Sequence, residues 1–145
     1  MHTPTTEEII RKFRERGLRV TTPRIAVYKA ILSSSHPDAE SILRLLKEEY
    51  PQITSATVYN NLEALEKAGL IHKVLTDKGS MKYDGILEEH HHLLDTTKDE
   101  IIDYFDPRLT TMLNEYFRKR PLKDFEVSRI TVQIIGKHIK KNPQK

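Results

Sequence analysis

His90 and His92 lie two residues apart, so on an extended strand both imidazoles project from one face while His91 turns to the other. Asp84 precedes them and Asp103 follows on what reads as the partner strand, so two carboxylates can close on the same cation. The chain has no cysteine, which excludes disulfides, thiolate nucleophiles and sulfur-ligated zinc or iron–sulfur centres. A metal held here must take nitrogen and oxygen ligands, a set that suits iron or manganese and permits zinc. Two other readings stay open on these residues alone: exposed strand histidines beside ordinary surface acids, and the His/carboxylate site of a metalloenzyme such as an iron oxygenase or metal-dependent hydrolase.

A second group of polar side chains sits in the stretch 54–69. Val58, Leu62 and Leu65 bury one side of a helix there, which leaves Ser55, Thr57, Tyr59 and Asn60 near its start and facing outward. Hydroxyls and an amide can bond phosphates or base edges, and asparagine can match adenine through two hydrogen bonds. A solvated helix face is the plainer alternative. Arg11, Arg14, Arg16, Arg19 and Arg24 are candidates for backbone phosphates on the same terms. The net charge of +3 says little alone, but its distribution says more. Positions 1–30 hold seven Lys or Arg against three acids, whereas 84–106 hold eight acids against Lys98 alone. The basic start suits phosphates and the acidic stretch suits a cation.

The elements that must position these residues are short. Thr5 and Glu8 have the spacing of a reciprocal helix cap, and a first helix should run to about Gly17. A second starts at Thr22-Pro23 with Thr22 as cap, and ends at Ser33–Ser35. Asp38 caps a third, whose buried stripe is Ile42, Leu45 and Leu46, and Tyr50-Pro51 stops it. The fourth begins near Thr54 or Ser55 and ends at Gly69, where a left-handed residue is wanted. Ile71–Leu75 and Met81–Tyr83 form a hairpin around Asp77-Lys78-Gly79. Helices followed by a hairpin predict a winged helix-turn-helix with the fourth helix as reader. Beyond it, His90–Leu94 and Glu100–Phe105 read as strands, Pro107–Arg120 as an amphipathic helix, and Phe125–Ile135 as a strand alternating Val127, Ile130, Val132 and Ile134. The fold class expected is mostly α plus α/β: a winged-helix unit over 1–83, a hinge over 84–89 and an α/β unit over 90–145, with a frayed tail at Lys140–Lys145. No run is apolar enough for a membrane span or signal peptide, which places the chain in the cytoplasm.

The run His36-Pro37-Asp38-Ala39-Glu40-Ser41-Ile42, followed by Ser55-Ala56-Thr57-Val58-Tyr59-Asn60-Asn61-Leu62, Leu65 and Gly69-Leu70-Ile71, resembles the signatures of ferric-uptake regulators in order and spacing. The similarity continues through Lys82-Tyr83-Asp84 and His90-His91-His92 to Ile101-Ile102-Asp103. It implies a metal-dependent DNA-binding repressor, not an enzyme, in which a dimerisation domain follows a winged-helix domain and a divalent metal, Fe(II) or Mn(II), links the two. The ligands it implies are His36, Asp84, His90, His92 and Asp103; five ligands leave little room for an enzyme's substrate. Partners would be operator DNA, contacted through Arg24, Ser55, Thr57, Tyr59 and Asn60, and a second copy of the chain.

Asp103 stands where iron-sensing members usually carry Glu, and Asn60 where they often carry Arg. Both favour the peroxide-responsive branch, which implies oxidation of a ligand histidine, His36 or His90, by Fe(II) and hydrogen peroxide, with release of DNA. The alternatives within the family are iron-uptake and zinc- or manganese-responsive repressors. The chain departs from the family where two CxxC pairs usually hold a structural zinc: Asp95 and Lys98 align with the first pair, and the second falls near His138 and Lys141. No structural zinc is expected, although a nitrogen and oxygen site from Asp95 and His138 is conceivable. Dimer stability should then come from strand pairing and the apolar 127–135 strand.

Overall fold

Helices of the first half begin where a side-chain oxygen can take the free amides of a first turn. In the computed structural model, which describes residues 3–76 and 78–140, Thr5 accepts from Glu8 N–H ahead of α1 (Thr6–Glu15) and Asp38 from Ser41 N–H ahead of α3 (Ala39–Lys47). Thr54 accepts from Thr57 N–H ahead of α4 (Ser55–Lys67). The cap of α2 (Thr22–Ser33) is Thr21 rather than the expected Thr22, because Thr22 already has helical backbone and only the extended residue before it can turn its hydroxyl onto Arg24 N–H. Each such cap contributes about 1 kcal/mol.

The chain divides into two compact units, Met1–Leu87 and Glu88–Lys145. In the first, Ile9 and Phe13 of α1, Val27, Tyr28 and Ile31 of α2, Ile42 and Leu46 of α3, and Val58, Leu62 and Leu65 of α4 form one core with Leu70 and Ile71. Phe13 and Tyr28 meet with ring centroids 5.6 Å apart. Leu45, expected in the α3 stripe, is 48% exposed: Ile42 and Leu46, at the i and i+4 positions, supply the inner face, and Leu45 lies at its margin. Gly69 closes α4 with φ of +75°, the conformation its position predicted. The hairpin of β1 (His72–Leu75) and β2 (Met81–Asp84) pairs antiparallel, His72 opposite Asp84 and Leu75 opposite Met81. Asp77 of the expected turn lies outside the described residues. Three-helix packing followed by α4 and a two-stranded wing is the winged helix-turn-helix arrangement.

The second unit is α/β. Its sheet has the order β4-β3-β5, with β3 (His91–Asp95) antiparallel to β4 (Glu100–Tyr104) and parallel to β5 (Gln133–Gly136), and α5 (Pro107–Lys119) lies between β4 and β5 in sequence. The long strand expected over 125–135 is corrected to β5. Residues 125–131 lie outside any strand: Val127 and Ile130 are three residues apart, so the period of two breaks there, and Phe125 is 67% exposed. Among the described residues of this unit, Leu94 and Ile101 are the buried hydrophobics, while Met112, Tyr116, Ile134 and Ile135 are exposed. The frayed-tail expectation falls at Lys141–Lys145 outside the described residues. No helix among the described residues is long and apolar enough to cross a membrane.

Candidate metal centre

The first unit brings together His36 and Asp84, 48 residues apart in sequence, by pinning the α2–α3 loop to the wing. Tyr83 N–H donates to Pro37 O at 3.0 Å, and Asp38 forms an antiparallel bridge with Lys82. His36 Nε2 then stands 3.7 Å from Asp84 Oδ2, with both side chains buried. His36 takes a left-handed backbone, φ +46°, uncommon for a residue with a Cβ and held here by the pairing of Pro37 and Asp38 with β2. Asp84 ends β2 and accepts Ile86 N–H at Oδ1, 2.9 Å. Gly85 follows, and a Cβ there would meet Leu32 Cδ2 at 2.8 Å, so the end of the wing lies close against the side chains of α2.

The second unit brings together His90, His92 and Asp103. His92 and Asp103 are direct cross-strand partners on β3 and β4, which puts their side chains on one face. His90 Nε2 lies 3.2 Å and His92 Nε2 3.5 Å from the same oxygen, Asp103 Oδ1. Glu88 O, 2.6 Å from His90 Nδ1, can only accept, so Nδ1 carries a proton and Nε2 is the nitrogen left to face the carboxylate. A carbonyl that fixes the tautomer in this way is the usual partner of a metal-binding imidazole. The ring is further held by stacking on Phe105 at 5.2 Å and by the edge of His92 at 4.8 Å. Neighbouring ligand atoms around a six-coordinate cation with bonds of about 2.1 Å are about 3 Å apart, close to these separations. Imidazole nitrogens and carboxylate oxygens, with no thiolate in the chain, fit Fe(II), Mn(II) or Zn(II).

His91 faces the other way, as alternation requires, but it is buried rather than solvated. Its Nδ1 accepts Val132 N–H at 3.1 Å, so the proton sits on Nε2, which donates to Thr110 Oγ1 at 2.8 Å. Sequence spacing gave its face and not this structural role, because Val132 and Thr110 reach it only through the fold.

On α4, Tyr59, Asn60 and Ser55 are exposed, while Thr57 is half-buried with its hydroxyl 3.1 Å from that of Thr54. Arg24 is partly committed elsewhere. Its Nε donates to Asn61 Oδ1 at 3.0 Å and its Nη1 to Arg19 O at 2.8 Å. Asn61 in turn donates to Thr57 O at 2.9 Å. This buried amide was not singled out from sequence, although its place with Val58, Leu62 and Leu65 at i, i+3, i+4 and i+7 put it on the inner face. Arg16 Nη1 donates to Ala68 O at 2.8 Å and holds the other end of α4. Asp95 and His138, the pair aligned with the missing cysteines, are in contact.

Residues 15–134 match the model of the ferric uptake regulator family. The chain is 31% identical over 132 residues to the peroxide-responsive repressor PerR of Staphylococcus aureus, covering 90% of this chain and 86% of that protein. Among solved structures it is similar to the ferric uptake regulator of Pseudomonas aeruginosa with manganese, at 26% identity and a TM-score of 0.75 over 90% of this chain and 98% of that one. It is also similar to the Campylobacter jejuni peroxide stress regulator, at 26% identity and a TM-score of 0.70 over 96% and 100%. The chain therefore belongs to the ferric uptake regulator family, a family of metal-dependent transcriptional regulators and not of enzymes.

Proposed function

We propose that this chain is a peroxide-responsive repressor that holds operator DNA as a dimer when a divalent cation is bound by His36, Asp84, His90, His92 and Asp103. The observation that carries the reading is the convergence of two imidazole Nε2 atoms on one oxygen of Asp103, with His90 held through Nδ1 by Glu88 O. His36 and Asp84 offer a second, incomplete donor pair on the winged-helix unit. A cation that needs more ligands than either unit supplies has a reason to take both, and its coordination free energy favours the arrangement of units in which all five donors reach it. The domain roles follow: residues 1–83 bind DNA, 84–89 act as hinge, and 90–145 dimerise. The exposed apolar side chains of α5 and β5 support the last of these, since a unit of this size with two buried hydrophobics among its described residues needs a partner to cover it. A cytoplasmic location goes with this function.

Exposed Tyr59, Asn60 and Ser55 are placed to read the major groove, and Thr57 to steady the start of α4 at a phosphate. Arg24 serves phosphate contact only as far as its bonds to Asn61 and Arg19 allow. Fe(II), when bound, would reduce hydrogen peroxide at the site and expose the imidazole carbons of His36 and His90 to oxidation. The chain contributes the placement: His90 is fixed by its carbonyl bond and stacked on Phe105, so it cannot swing away. The likeness to the Staphylococcus aureus peroxide-responsive repressor, with Asp103 and Asn60 at the two positions that distinguish the branches, supports this branch over a plain iron, zinc or manganese sensor. A gel shift on a palindromic A·T-rich site, run apo and with Fe(II), Mn(II) or Zn(II), before and after peroxide, tests it. Metal-enhanced binding abolished by peroxide only with Fe(II) is the expected pattern. An equal response with Fe(II) and Mn(II) would favour a metal-responsive repressor instead.

A further inference from the structure

β5 is four residues long, exposed throughout, and reached through a stretch, residues 120–132, with neither helix nor strand. So short a parallel ladder at a sheet edge gains little by itself. It is fastened at both ends by residues at the two ends of β3 and by Thr96 just beyond it. At the near end His92 N–H donates to Val132 O at 3.0 Å, and Val132 N–H to His91 Nδ1 at 3.1 Å. At the far end Thr96 N–H donates to Gly136 O at 2.9 Å, while His138 donates to Asp95 Oδ2 from its backbone N–H at 3.3 Å and from Nδ1 at 2.5 Å.

We propose that Asp95 and His138 form a clasp that holds β5 on β3 and so positions the strand presenting His92. Asp95 is built for this. Oδ1 accepts from Thr97 N–H at 2.9 Å, Thr97 Oγ1 at 2.6 Å and Lys98 N–H at 3.3 Å, while Oδ2 is given over to His138. Asp95 is 3% exposed and both its carboxylate oxygens already accept hydrogen bonds from the chain, so a cation would have to displace existing bonds to enter. Thr97 holds one oxygen whether or not β5 is docked; among the described residues the other is bonded by residue 138 alone. Removing the imidazole leaves a buried anionic oxygen with one backbone amide, which persists only while β5 stays in place. Because His92 pairs with Gln133 in the β3–β5 register, loosening β5 frees one edge of the strand that carries a ligand histidine. His138 touches no proposed ligand, so it acts as a positioning residue through β5. The clasp itself stands apart from the proposed function; only its effect on metal affinity rests on it.

The test is hydrogen exchange by mass spectrometry on the full chain, as wild type, His138→Ala and His138→Asn, together with Mn(II) titration. Asparagine places an amide nitrogen about where Nδ1 stands and can donate to Asp95. Several-fold faster exchange over 132–136 and several-fold weaker Mn(II) binding are expected for His138→Ala, with α1–α4 unchanged and both losses largely recovered in His138→Asn. Unchanged exchange in His138→Ala, or equal acceleration in both variants, would overturn the clasp. Slower exchange on adding Zn(II) to wild type but not to His138→Ala would make the pair a cation site instead. Faster exchange with unaltered Mn(II) affinity would overturn the positioning role and with it the inference as stated, whereas failure of Mn(II) to bind wild type at all would count against the proposed function and leave the exchange result standing.

Discussion

At the scale of single residues, the site is defined by which atom of each imidazole is free. Glu88 O accepts a hydrogen bond from Nδ1–H of His90, and Val132 N–H donates to the bare Nδ1 of His91, so adjacent histidines carry opposite Nδ1 states for opposite tasks. Losing a ligand should cost more than losing an outer partner, which typically costs about 10–100-fold in affinity. His90→Ala and Asp84→Ala are therefore expected to lower Mn(II) affinity by at least that factor and to remove metal-enhanced DNA binding, measured by titration and gel shift. Wild-type behaviour in both variants would reject the ligand assignment. Exposure to stoichiometric peroxide should add one oxygen to the peptide carrying His36 or His90 in Fe(II)-loaded protein and not in Mn(II)-loaded protein. Oxygen found only on Met81 or Met112 by peptide mass spectrometry would exclude the histidine route. On α4, Asn60→Ala should reduce discrimination between operator and random DNA by about 1–3 kcal/mol if its base contact is bidentate. Arg24→Ala has a further expected effect, visible as a lower melting temperature without DNA, because it also removes the bond that ties α2 to Asn61.

At the scale of elements, the second unit depends on ionised carboxylates at its turns. Asp95 is held far below the usual carboxylate range by the hydroxyl of Thr97 and by His138, and Asp106, which caps α5, is lowered by Leu109 N–H and the Tyr104 hydroxyl. Both groups are more acidic folded than unfolded. Their contribution is thus complete above the ordinary carboxylate pKa of about 4 and is lost as pH falls through the lower folded values. Melting followed by circular dichroism should show the unit losing stability below about pH 4. The loss should be smaller in Asp95→Asn, which has already forfeited that charge. An acid limb of the same depth in the variant would remove Asp95 from the account. The first unit rests on apolar packing instead, and Leu65→Ala in its core should cost about 2–5 kcal/mol.

At the scale of the molecule, the exposed apolar residues of α5 and β5, including Met112, Tyr116, Ile134 and Ile135, are more than a solitary unit of this size should leave to water. The chain is expected to sediment as a dimer after chelation, since no cysteine is present to make assembly depend on zinc. A monomer that dimerises only when zinc is restored would contradict this.

The sequence by itself determined the helices of the first unit, because caps such as Thr5, Asp38 and Thr54 and the spacing of Val58, Leu62 and Leu65 act within one or two turns. It also placed His90 and His92 together by their spacing, although β3 begins only at His91 and His90 is held by Glu88 O and Phe105 rather than by the strand. The family signatures added His36, which no local pattern connects to the others. The tertiary structure decided the rest. β5 shrank from the expected strand 125–135 to Gln133–Gly136, since alternation states which residues could face a sheet but not where a partner strand offers free amides and carbonyls. Leu45 fell outside the core although its residue type fits, because the α2 and α4 surfaces are filled by Ile42 and Leu46. His91, Asn61 and the Asp95–His138 pair acquired their roles from partners 19–43 residues away or, for Asn61, from Arg24 at 37, separations at which hydrogen bonding is set by how the elements pack.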